Sequence, residues 1–509
     1  MADLSSCPLW LARPPAKVFP ALAGDIDSDV VVIGGGVAGM TAALTLQSAG
    51  KQVVVLEMRG LGSGETGHTT AHLSEQIDIS YRAAIHKFGC DRARDVAASQ
   101  RAAIDQIEEW VHGLSIACDF TRLPGFLYSE DDGGSRELEC ELQAMQEAGL
   151  EAAWTEVVPL PFDVTGALKL ERQGQIHPGR YLEGLAQAFT QRGGRIFEQT
   201  RVLRVEEGNP CRVEAERGTV SGGEVLCTTH VPSINRLMVH PQLAAYRSYA
   251  IARRLKAESP PALYWDTMDP YHYLRFHSDE RGQWLILGGE DHKTGKESDP
   301  ASLYERLEEY AGARFSLEES GPETAFRWSG QILEPADGLP FIGRNPGSRH
   351  LSIATGFSGN GMTFGTLAGG VLADAVLGKA NRWASLYSPM RFKPRAQIRR
   401  FLSENIDFPI HRVAGLFQSG EVQHPSEIPI NEGRLVRSEA GLLAVYRDGE
   451  EGLKVRTAVC PHLGCHVRWN NAERSWDCPC HGSRFDPDGR VLNGPALSDL
   501  AEERWKSTV

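Results

Sequence analysis

Four residues near the C-terminal end of the sequence have types and spacing suited to a metal centre. Cys460 and His462 form a Cys-x-His pair within CPHLGC, and after fifteen intervening residues Cys478 and His481 form a Cys-x-x-His pair within CPCHGS. Two cysteines and two histidines can hold a zinc ion tetrahedrally. They can also hold a [2Fe-2S] cluster, with both thiolates on one iron and both imidazoles on the other. The residues between and beside the ligands favour the cluster, which predicts one-electron transfer.

The two segments resemble the ligand loops of Rieske [2Fe-2S] proteins. In the Rieske proteins of cytochrome bc complexes, one further cysteine in each loop forms a disulfide, so the resemblance implies a bond between Cys465 and Cys480. Ser483 stands where a serine donates a hydrogen bond to a cluster sulfur in high-potential relatives. Phe485 stands where those relatives have a tyrosine that does the same. One donor fewer predicts a lower potential than in the bc-type proteins.

A second chemical motif lies near the N-terminus and predicts a bound dinucleotide. Gly34, Gly36 and Gly39 form a G-x-G-x-x-G fingerprint between an apolar β-branched run and a helix-forming segment. Such glycines make a tight turn, admit the pyrophosphate and let the helix pack on the strand. Glu57 ends the next apolar run, where a carboxylate accepts hydrogen bonds from the adenosine ribose. The motif predicts FAD or NAD, with Val37, Ala38 and Met58 also beside the dinucleotide.

Two further segments resemble the FAD-dependent amine and amino-acid oxidoreductases of the D-amino-acid oxidase, glycine oxidase and sarcosine oxidase superfamily. They are GSGETGHTTAHL at 62–73 and DGLPFIG at 337–343 leading into ATGFSGNGMTFGTLAGG at 354–370. The resemblance extends over about residues 29–390 and implies FAD. In the second segment, glycines open a helix whose positive end would face the N1 and C2 carbonyl edge of the flavin. The resemblance implies these flavin-side contacts: Gly64, Thr66, His68, Thr69, Thr70, Gly330, Gly359, Asn360, Gly361, Met362 and Thr363.

The sequence departs from this superfamily at two places. Glycine-oxidase-like relatives bind the substrate carboxylate through an arginine close to the position of Ile332, so an amino-acid substrate loses its usual anchor here. Arg275 and Arg327 are candidate replacements, although strand arginines are more often solvated or ion-paired. His68 falls near the histidine that carries covalent flavin in dimethylglycine and sarcosine dehydrogenases. A covalent bond and a polar contact to FAD both remain open.

The catalytic residues beyond the flavin are not evident from the sequence. His272 and Tyr273 are weak candidates because they lie on an aromatic strand predicted to border the substrate. Strand alternation would place Tyr271 and Tyr273 on one face and His272 on the other.

The order of predicted elements explains how these motifs are positioned. A βαβ unit spans 29–57, helices follow over 92–112 and 135–148, and short strands surround a helix at 181–192. Aromatic strands at 271–276 and 284–287 predict an antiparallel sheet that roofs a pocket, and a last helix covers 362–377. Short strands and turn dipeptides follow from 413.

The predicted architecture is therefore an α/β protein with a Rossmann-like FAD-binding domain, an antiparallel-sheet substrate domain and a C-terminal all-β Rieske domain. The predicted boundaries are an N-terminal extension at 1–28, the oxidoreductase at 29–390, a linker at 391–412 and the Rieske domain at 413–509. Within the oxidoreductase, the FAD-binding parts are about 29–80, 173–235 and 325–390, and the substrate parts are about 81–172 and 236–324.

Composition restricts the partners and the location. The 509 residues are 41% hydrophobic and 23% charged, which is typical of a soluble globular protein. The net charge of -13 makes nucleic acid an improbable partner. We expect no transmembrane segment and, because the N-terminus lacks the features of an export signal, a cytoplasmic location.

Three functions are compatible with these motifs. The favoured one is oxidation of a C–N bond in a small amine or N-methyl compound, with electrons relayed through the cluster to an acceptor protein or a quinone. The second is a reductase that takes electrons from NAD(P)H, which would need a second nucleotide site. The third is a non-catalytic redox sensor or electron carrier.

Overall fold

The computed structural model describes residues 7–232, 239–321, 323–391, 420–439, 441–449 and 452–505. The predicted linker at 391–412 and the start of the predicted Rieske domain at 413–419 lie outside these residues, apart from Arg391. We call residues 7–391 the large region and residues 420–505 the C-terminal region. Within the described residues, no helix is both long and apolar enough to cross a bilayer.

The large region contains seventeen strands in two sheets within its described residues. β-branched runs such as Val30–Ile33 form the buried strands, and longer aromatic strands form the wall of a cavity. In chain order the strands are β1 (Ile26–Ile33), β2 (Val53–Leu56), β3 (His72–Leu73), β4 (Thr121–Ser129), β5 (Ala152–Thr155), β6 (Gly166–Gln175), β7 (Arg195–Phe197), β8 (Val202–Glu206), β9 (Cys211–Ala215), β10 (Gly218–Cys227), β11 (Leu243–Arg254), β12 (Leu263–Asp266), β13 (His272–Asp279), β14 (Gly282–Lys293), β15 (Ala325–Pro335), β16 (Phe341–Arg344) and β17 (Leu351–Thr355).

The α-helices of the large region cover both sheets. Helix α1 packs closely on α7, where a Cβ atom added to Gly369 would lie 2.4 Å from Thr41 Cβ. The helices are α1 (Val37–Ser48), α2 (Tyr81–Phe88), α3 (Cys90–Gly113), α4 (Asp132–Glu147), α5 (Pro178–Gln191), α6 (Ala301–Arg314), α7 (Gly361–Val376) and α8 (Ala384–Tyr387).

The first sheet has the order β16-β17-β10-β1-β2-β7, with the β8–β9 hairpin paired to β10. Strands β17, β10, β1, β2 and β7 are parallel, and Val30 is paired with Val53. Because α1 follows β1 and leads to the parallel strand β2, this sheet contains the predicted βαβ unit. The glycine turn and Glu57 therefore lie at the carboxyl ends of adjacent strands, where α/β sheets bind ligands.

The second sheet has nine strands, in the order β15-β11-β14-β13-β12-β4-β6-β3 with β5 beside β6. All its pairs are antiparallel except β12 with β4. Strand β15, within the predicted FAD-binding part at 325–390, belongs to this sheet because it pairs with β11 from Leu243↔Pro335 to Arg253↔Ala325. Strand β3, within the predicted part at 29–80, also belongs here through its pairing with β6.

The C-terminal region is all-β, as the turn dipeptides predict. A three-stranded sheet β18-β19-β20 and a four-stranded sheet β21-β22-β23-β24 enclose a core that includes Leu435, Trp476 and Phe485. The strands are β18 (Gly433–Ser438), β19 (Gly441–Asp448), β20 (Gly452–Thr457), β21 (Arg468–Asn470), β22 (Ser475–Asp477), β23 (Arg484–Phe485) and β24 (Val491–Asn493).

Most predicted elements of the large region are present, with their ends moved by a few residues. Helices α2, α6 and the short α8 lie outside the predicted helices. The predicted N-terminal extension packs on the rest of the large region. Trp10 is buried, and its indole Nε1 donates a hydrogen bond to Thr69 O at 2.7 Å. Strand β1 begins at Ile26, three residues before the predicted domain start.

Candidate functional site

A cavity of about 560 Å³ runs from the glycine turn after β1 to the aromatic wall of the second sheet. Nearly all the residues predicted to contact FAD line this cavity. Gly39 and Thr363 do not: Gly39 packs against the turn, and the Thr363 hydroxyl donates to Asn360 O at 3.2 Å. The predicted residues that do line it are Gly34, Gly36, Val37, Ala38, Glu57, Met58, Gly64, Thr66, His68, Thr69, Thr70, Gly330, Gly359, Asn360, Gly361 and Met362.

The glycine turn has the close backbone contacts that a dinucleotide site requires. Gly34 has a φ of +107°, and a Cβ there would lie 2.7 Å from Thr228 O. A Cβ on Gly39 would lie 2.0 Å from Gly34 O. Only glycine fits both positions, and the N-cap residue of α1, Gly36, has no side chain to cap the helix. The turn therefore leaves helix N–H groups facing the cavity, which fits a pyrophosphate.

Glu57 lies at the end of β2, where an adenosine ribose would bind. Its Oε2 accepts a hydrogen bond from Gly35 N at 2.8 Å, and its Oε1 accepts one from Arg59 N at 3.0 Å. Burial raises the pKa of Glu57 despite these two hydrogen bonds. The fixed carboxylate fits the ribose hydroxyls of FAD as acceptor.

The segment before α7 forms the opposite end of the dinucleotide cavity. Gly359 N donates to Asp78, and the Asn360 amide donates from Nδ2 to Gln76 O at 2.7 Å. Asn360 precedes α7 without a side-chain cap, so the N–H groups of the helix remain available to a ligand. This arrangement fits the electron-rich edge of a flavin.

His68 is held in place within the cavity wall. Its Nδ1 lies 2.9 Å from Gly64 O, and its backbone O accepts a hydrogen bond from the Trp328 indole at 2.8 Å. Burial lowers the pKa of His68, so the ring is neutral near pH 7. A neutral imidazole here fits either of the two flavin contacts left open by the sequence.

The two weak catalytic candidates lie on opposite faces of β13. Tyr273 lines the cavity, and its hydroxyl lies 2.8 Å from Ser248 Oγ. His272 is turned away from the cavity: its Nδ1 lies 2.9 Å from Asp266 Oδ2 and its ring stacks on Tyr310. The structure therefore places Tyr273, and not His272, where a substrate could be reached.

Neither proposed replacement for the missing arginine lines the cavity. Arg275 is completely buried, and its guanidinium donates to Gln175 Oε1 and Ile176 O, both at 3.0 Å. Arg327 lies 3.7 Å from Glu308 at the surface. Both arginines have structural partners, and Ile332 lines the cavity without a charge.

Sequence reasoning missed several residues of the cavity wall. Strand pairing brings together residues far apart in the chain, and their local sequence carries no motif. The segment 491–497 of the C-terminal region also borders the cavity, and no signal in the sequence indicates this. The cavity-lining residues missed in this way include Asp78, Trp265, Asp291, Gln331, Glu334 and Asn493.

The four proposed cluster ligands meet in two pairs within the C-terminal region. The Cys460 and Cys478 thiols are within hydrogen-bonding reach, which lowers the pKa of Cys460 to about 7. The imidazoles of His462 and His481 lie 4.9 Å apart between ring centroids. A sulfur pair beside an imidazole pair is the donor set of a Rieske cluster.

The loops that carry these ligands are tied together by a disulfide. Cys465 and Cys480 are bonded, which confirms the pairing implied by the resemblance. Cys460 N donates to Cys465 O, and Cys478 N donates to Ser483 O, both at 2.8 Å. The Ser483 hydroxyl also reaches the Cys460 sulfur, and Phe485 is buried in the domain core.

The cluster loop packs directly against the large region. Gln331, on β15, donates from Nε2 to Gly482 O at 2.7 Å, and Gly482 follows His481 in the chain. A Cβ on Gly482 would lie 2.5 Å from Ala245 Cβ, so glycine permits this approach. On the other side, the ring of His462 lies 5.3 Å from that of His240. Gln331 also lines the dinucleotide cavity and is thus shared by both sites.

A buried charge network fixes the same interface. Glu473 of the C-terminal region lies 2.5 Å from Arg247 of β11 and also pairs with Arg484 and Ser329. Burial alone would raise the pKa of Glu473, but the two arginines hold it at about 2. A second contact joins Asn493 Nδ2 to Glu65 Oε1 at 2.9 Å beside the cavity. These contacts keep the C-terminal region against the cavity mouth.

Comparisons with known proteins agree with both sites. Residues 29–375 match the family described as FAD dependent oxidoreductase, and residues 418–503 match the Rieske [2Fe-2S] domain. YhfW of Bacillus subtilis, named as a Rieske 2Fe-2S iron-sulfur protein, is 32% identical over 97% of this chain and 96% of its own length.

Two further matches cover the large region. Gamma-glutamylputrescine oxidoreductase of Escherichia coli is 27% identical over 72% of this chain and 87% of its own length. Glycine oxidase of Geobacillus kaustophilus has the same fold, with a TM-score of 0.62, 18% identity, and coverage of 72% of this chain and 99% of its own.

Proposed function

Because the chain belongs to the family of FAD dependent oxidoreductases and carries a C-terminal Rieske [2Fe-2S] domain, we propose that it oxidises a C–N bond of an amine or N-methyl compound. FAD would take a hydride from the carbon next to nitrogen, and the cluster would pass the two electrons singly to an acceptor protein or a quinone. The substrate would leave as an imine after losing the N–H proton.

The hydrogen bond between Gln331 and Gly482 carries this proposal. Gln331 lines the cavity next to Gly330, and Gly482 follows the cluster ligand His481. Gln331 would therefore stand between the two redox sites, bordering the dinucleotide cavity and contacting the loop that carries a cluster ligand. A flavin that delivered electrons only to oxygen would not require a one-electron centre next to its cavity.

The interface contacts support a fixed arrangement of the two sites. Interfaces between domains commonly allow relative motion unless they are large and well buried. Here the Arg247 side chain is 1% exposed and that of Glu473 is 15% exposed, so the ion pair is shielded from solvent. The C-terminal segment 491–497 also covers part of the cavity and would limit access of water to it.

The large region's own residues would bind and orient the reactants. The glycine turn and Glu57 would hold the adenosine half of FAD, and the N-terminus of α7 would face the flavin. Tyr271 and Tyr273 border the remaining space, and burial raises the pKa of both, so their hydroxyls stay protonated. The name of the Escherichia coli relative, an oxidoreductase of gamma-glutamylputrescine, is consistent with an amine substrate.

The proposal is tested by asking which reductant bleaches the flavin. Under anaerobic conditions, we expect a panel of amines and N-methyl compounds to include one that removes the visible absorbance of bound FAD within seconds. NADH at the same concentration should act far more slowly, because the fingerprint with its ribose acid occurs once among the described residues. Rapid bleaching by NADH and by none of the amines would replace this proposal with the reductase function.

A further inference from the structure

The end of the cavity beyond the flavin position is rich in carboxylates. Asp78 precedes α2, Asp291 lies on β14 and Glu334 lies on β15, and all three line the cavity. Their carboxylates interact through space, since Glu334 and Asp291 both raise the pKa of Asp78. Strands β14 and β15 and the loop before α2 thus bring three carboxyl groups to one end of the cavity. We call the space around Asp78, Asp291 and Glu334 the chamber.

One of these carboxylates has an unused acceptor inside the protein. The Tyr271 hydroxyl donates to Asp291 Oδ2 at 2.9 Å. Asp291 Oδ1 is buried and forms no well-aligned hydrogen bond among the described residues, although the Ser248 hydroxyl lies close enough to the carboxylate to lower its pKa. An unpaired carboxylate oxygen in a closed space is costly unless a donor or a cation binds it. Asp291 therefore keeps some acceptor capacity at the wall of the cavity.

Aromatic rings complete the same chamber. The rings of Tyr271 and Tyr273 are 6.0 Å apart and tilted by 33°, and Trp265, which is paired with Tyr273 on the neighbouring strand β12, also lines the cavity. Aromatic faces attract ammonium groups, and most strongly when water is excluded. Rings and carboxylates together form surroundings suited to an organic cation.

The chamber offers no counterpart for a carboxylate. Among the described lining residues, Arg59 and Arg201 are the only arginines and lysine is absent. Arg59 lies beside Glu57, and Arg201 pairs with Asp499 at 2.9 Å, so both belong to the adenosine end. His72 is neutral, since burial and Arg275 lower its pKa to about 3.

Burial and mutual repulsion raise the pKa of two of the acidic groups. Burial, followed by Glu334 and Asp291, raises the pKa of Asp78 to about 7. Burial, with Glu334 and Glu290, raises the pKa of Asp291 to about 6. A bound cation would offset this repulsion and keep both groups ionised.

From this chamber we propose that the substrate is a diamine: an amine that carries a second cationic amino group and no free carboxylate. The second ammonium group binds Asp291, with Asp78 and Glu334 around it, while the first amine reaches the flavin. This inference rests on the proposed function and names its substrate class.

Three compounds with the same four-carbon chain test the inference on the intact holoenzyme. They are 1,4-diaminobutane, butylamine and 4-aminobutanoate, which end in an ammonium, a methyl and a carboxylate group. In anaerobic flavin bleaching, we expect half-saturation with diaminobutane at a concentration at least about tenfold below that with butylamine, because one charge-assisted contact is gained. Aminobutanoate should be the poorest of the three.

Binding without turnover provides a second readout. Tetramethylammonium has no N–H proton to lose, and we expect it to perturb the visible spectrum of bound FAD and to compete with diaminobutane. Sodium acetate at the same ionic strength should do neither. A spectrum that responds equally to both salts would contradict a cation-selective chamber.

Variants separate this inference from the proposed function. Asp291→Asn should reduce the preference for diaminobutane over butylamine to about threefold or less, because the amide keeps the shape and loses the charge. Glu305→Gln, an exposed carboxylate on α6, is the matched control and should keep the full preference.

Equal half-saturation of the wild-type protein with diaminobutane and butylamine would overturn the diamine inference and leave amine oxidation standing. Bleaching by NADH and by none of the three amines would overturn both.

Discussion

His481→Ala is expected to leave bleaching of the flavin by substrate intact while turnover with cytochrome c falls on the order of 100-fold, as loss of even an outer partner of a metal ligand can cost 10–100-fold. His481 supplies one of the two imidazoles of the cluster site, and it lies next to Gly482 at the contact with Gln331. The dinucleotide cavity keeps all its lining residues in this variant. Stopped-flow absorbance gives the first quantity and steady-state reduction of cytochrome c the second.

A histidine elsewhere in the C-terminal region provides the control. His424 is exposed and caps a short turn, so His424→Ala should retain normal turnover. Cytochrome c is chosen because a protein acceptor cannot enter the cavity, whereas a small oxidant could react with the flavin directly. Undiminished turnover of His481→Ala with cytochrome c would show that electrons leave by another route.

Glu473→Gln is expected to destabilise the docked arrangement of the two regions by about 3 kcal/mol, because it leaves the buried Arg247 without this counter-charge. Arg247 and Arg484 both pair with this carboxylate. Arg484 also pairs with Asp477 at 3.0 Å, and the Arg247 side chain is almost fully buried. Differential scanning calorimetry should show the first unfolding transition of the variant at a lower temperature. Glu502→Gln removes an ion pair whose carboxylate is 84% exposed, and this control should shift the transition little.

The contribution of Glu473 should also depend on pH in a defined direction. The pKa of Glu473 is about 2 in the folded protein, below the ordinary value of 4.5. Its ionised form therefore stabilises docking above pH 4.5, and this stabilisation is lost as the pH falls from 4.5 through 2. The variant should lack this part of the acid dependence. An identical decline in both proteins would contradict a docking role for the ion pair.

The residues that could be predicted from the sequence are those whose function depends on short spacing. The glycine turn needs three glycines within six residues, and each cluster loop needs its ligands within four. The disulfide between Cys465 and Cys480 followed from resemblance, because each loop contains one additional cysteine. For the glycine turn and for each ligand pair, the local backbone alone places the groups, so no knowledge of the sheets is required.

The acidic chamber and the interface could not be predicted in this way. Asp78, Asp291 and Glu334 are brought together by the pairing of β14 and β15 with β11 and by the loop before α2. Gln331 meets Gly482 across 151 positions of sequence. Such contacts depend on tertiary packing, for which a single sequence carries no periodic signal.

Helix α6 could have been predicted from the sequence, because its apolar residues recur at helical spacing. Leu303, Tyr304, Leu307, Tyr310 and Ala311 are buried at helical spacing along one face. The aromatic residues in this stretch are also typical of strands, and the adjacent strands are rich in them. The helix covers the outer face of the second sheet and so holds the wall that carries Tyr271 and Tyr273.

The claim that electrons pass between flavin and cluster within one chain is tested most directly by reducing the flavin alone. Bound FAD can be photoreduced anaerobically with EDTA while electron paramagnetic resonance follows the reduced cluster in the same wild-type sample. We expect the cluster signal to grow as the flavin is reduced, at a rate unchanged by tenfold dilution of the protein. A fully reduced flavin beside an oxidised cluster, or a rate that falls in proportion to protein concentration, would contradict transfer across the Gln331–Gly482 contact.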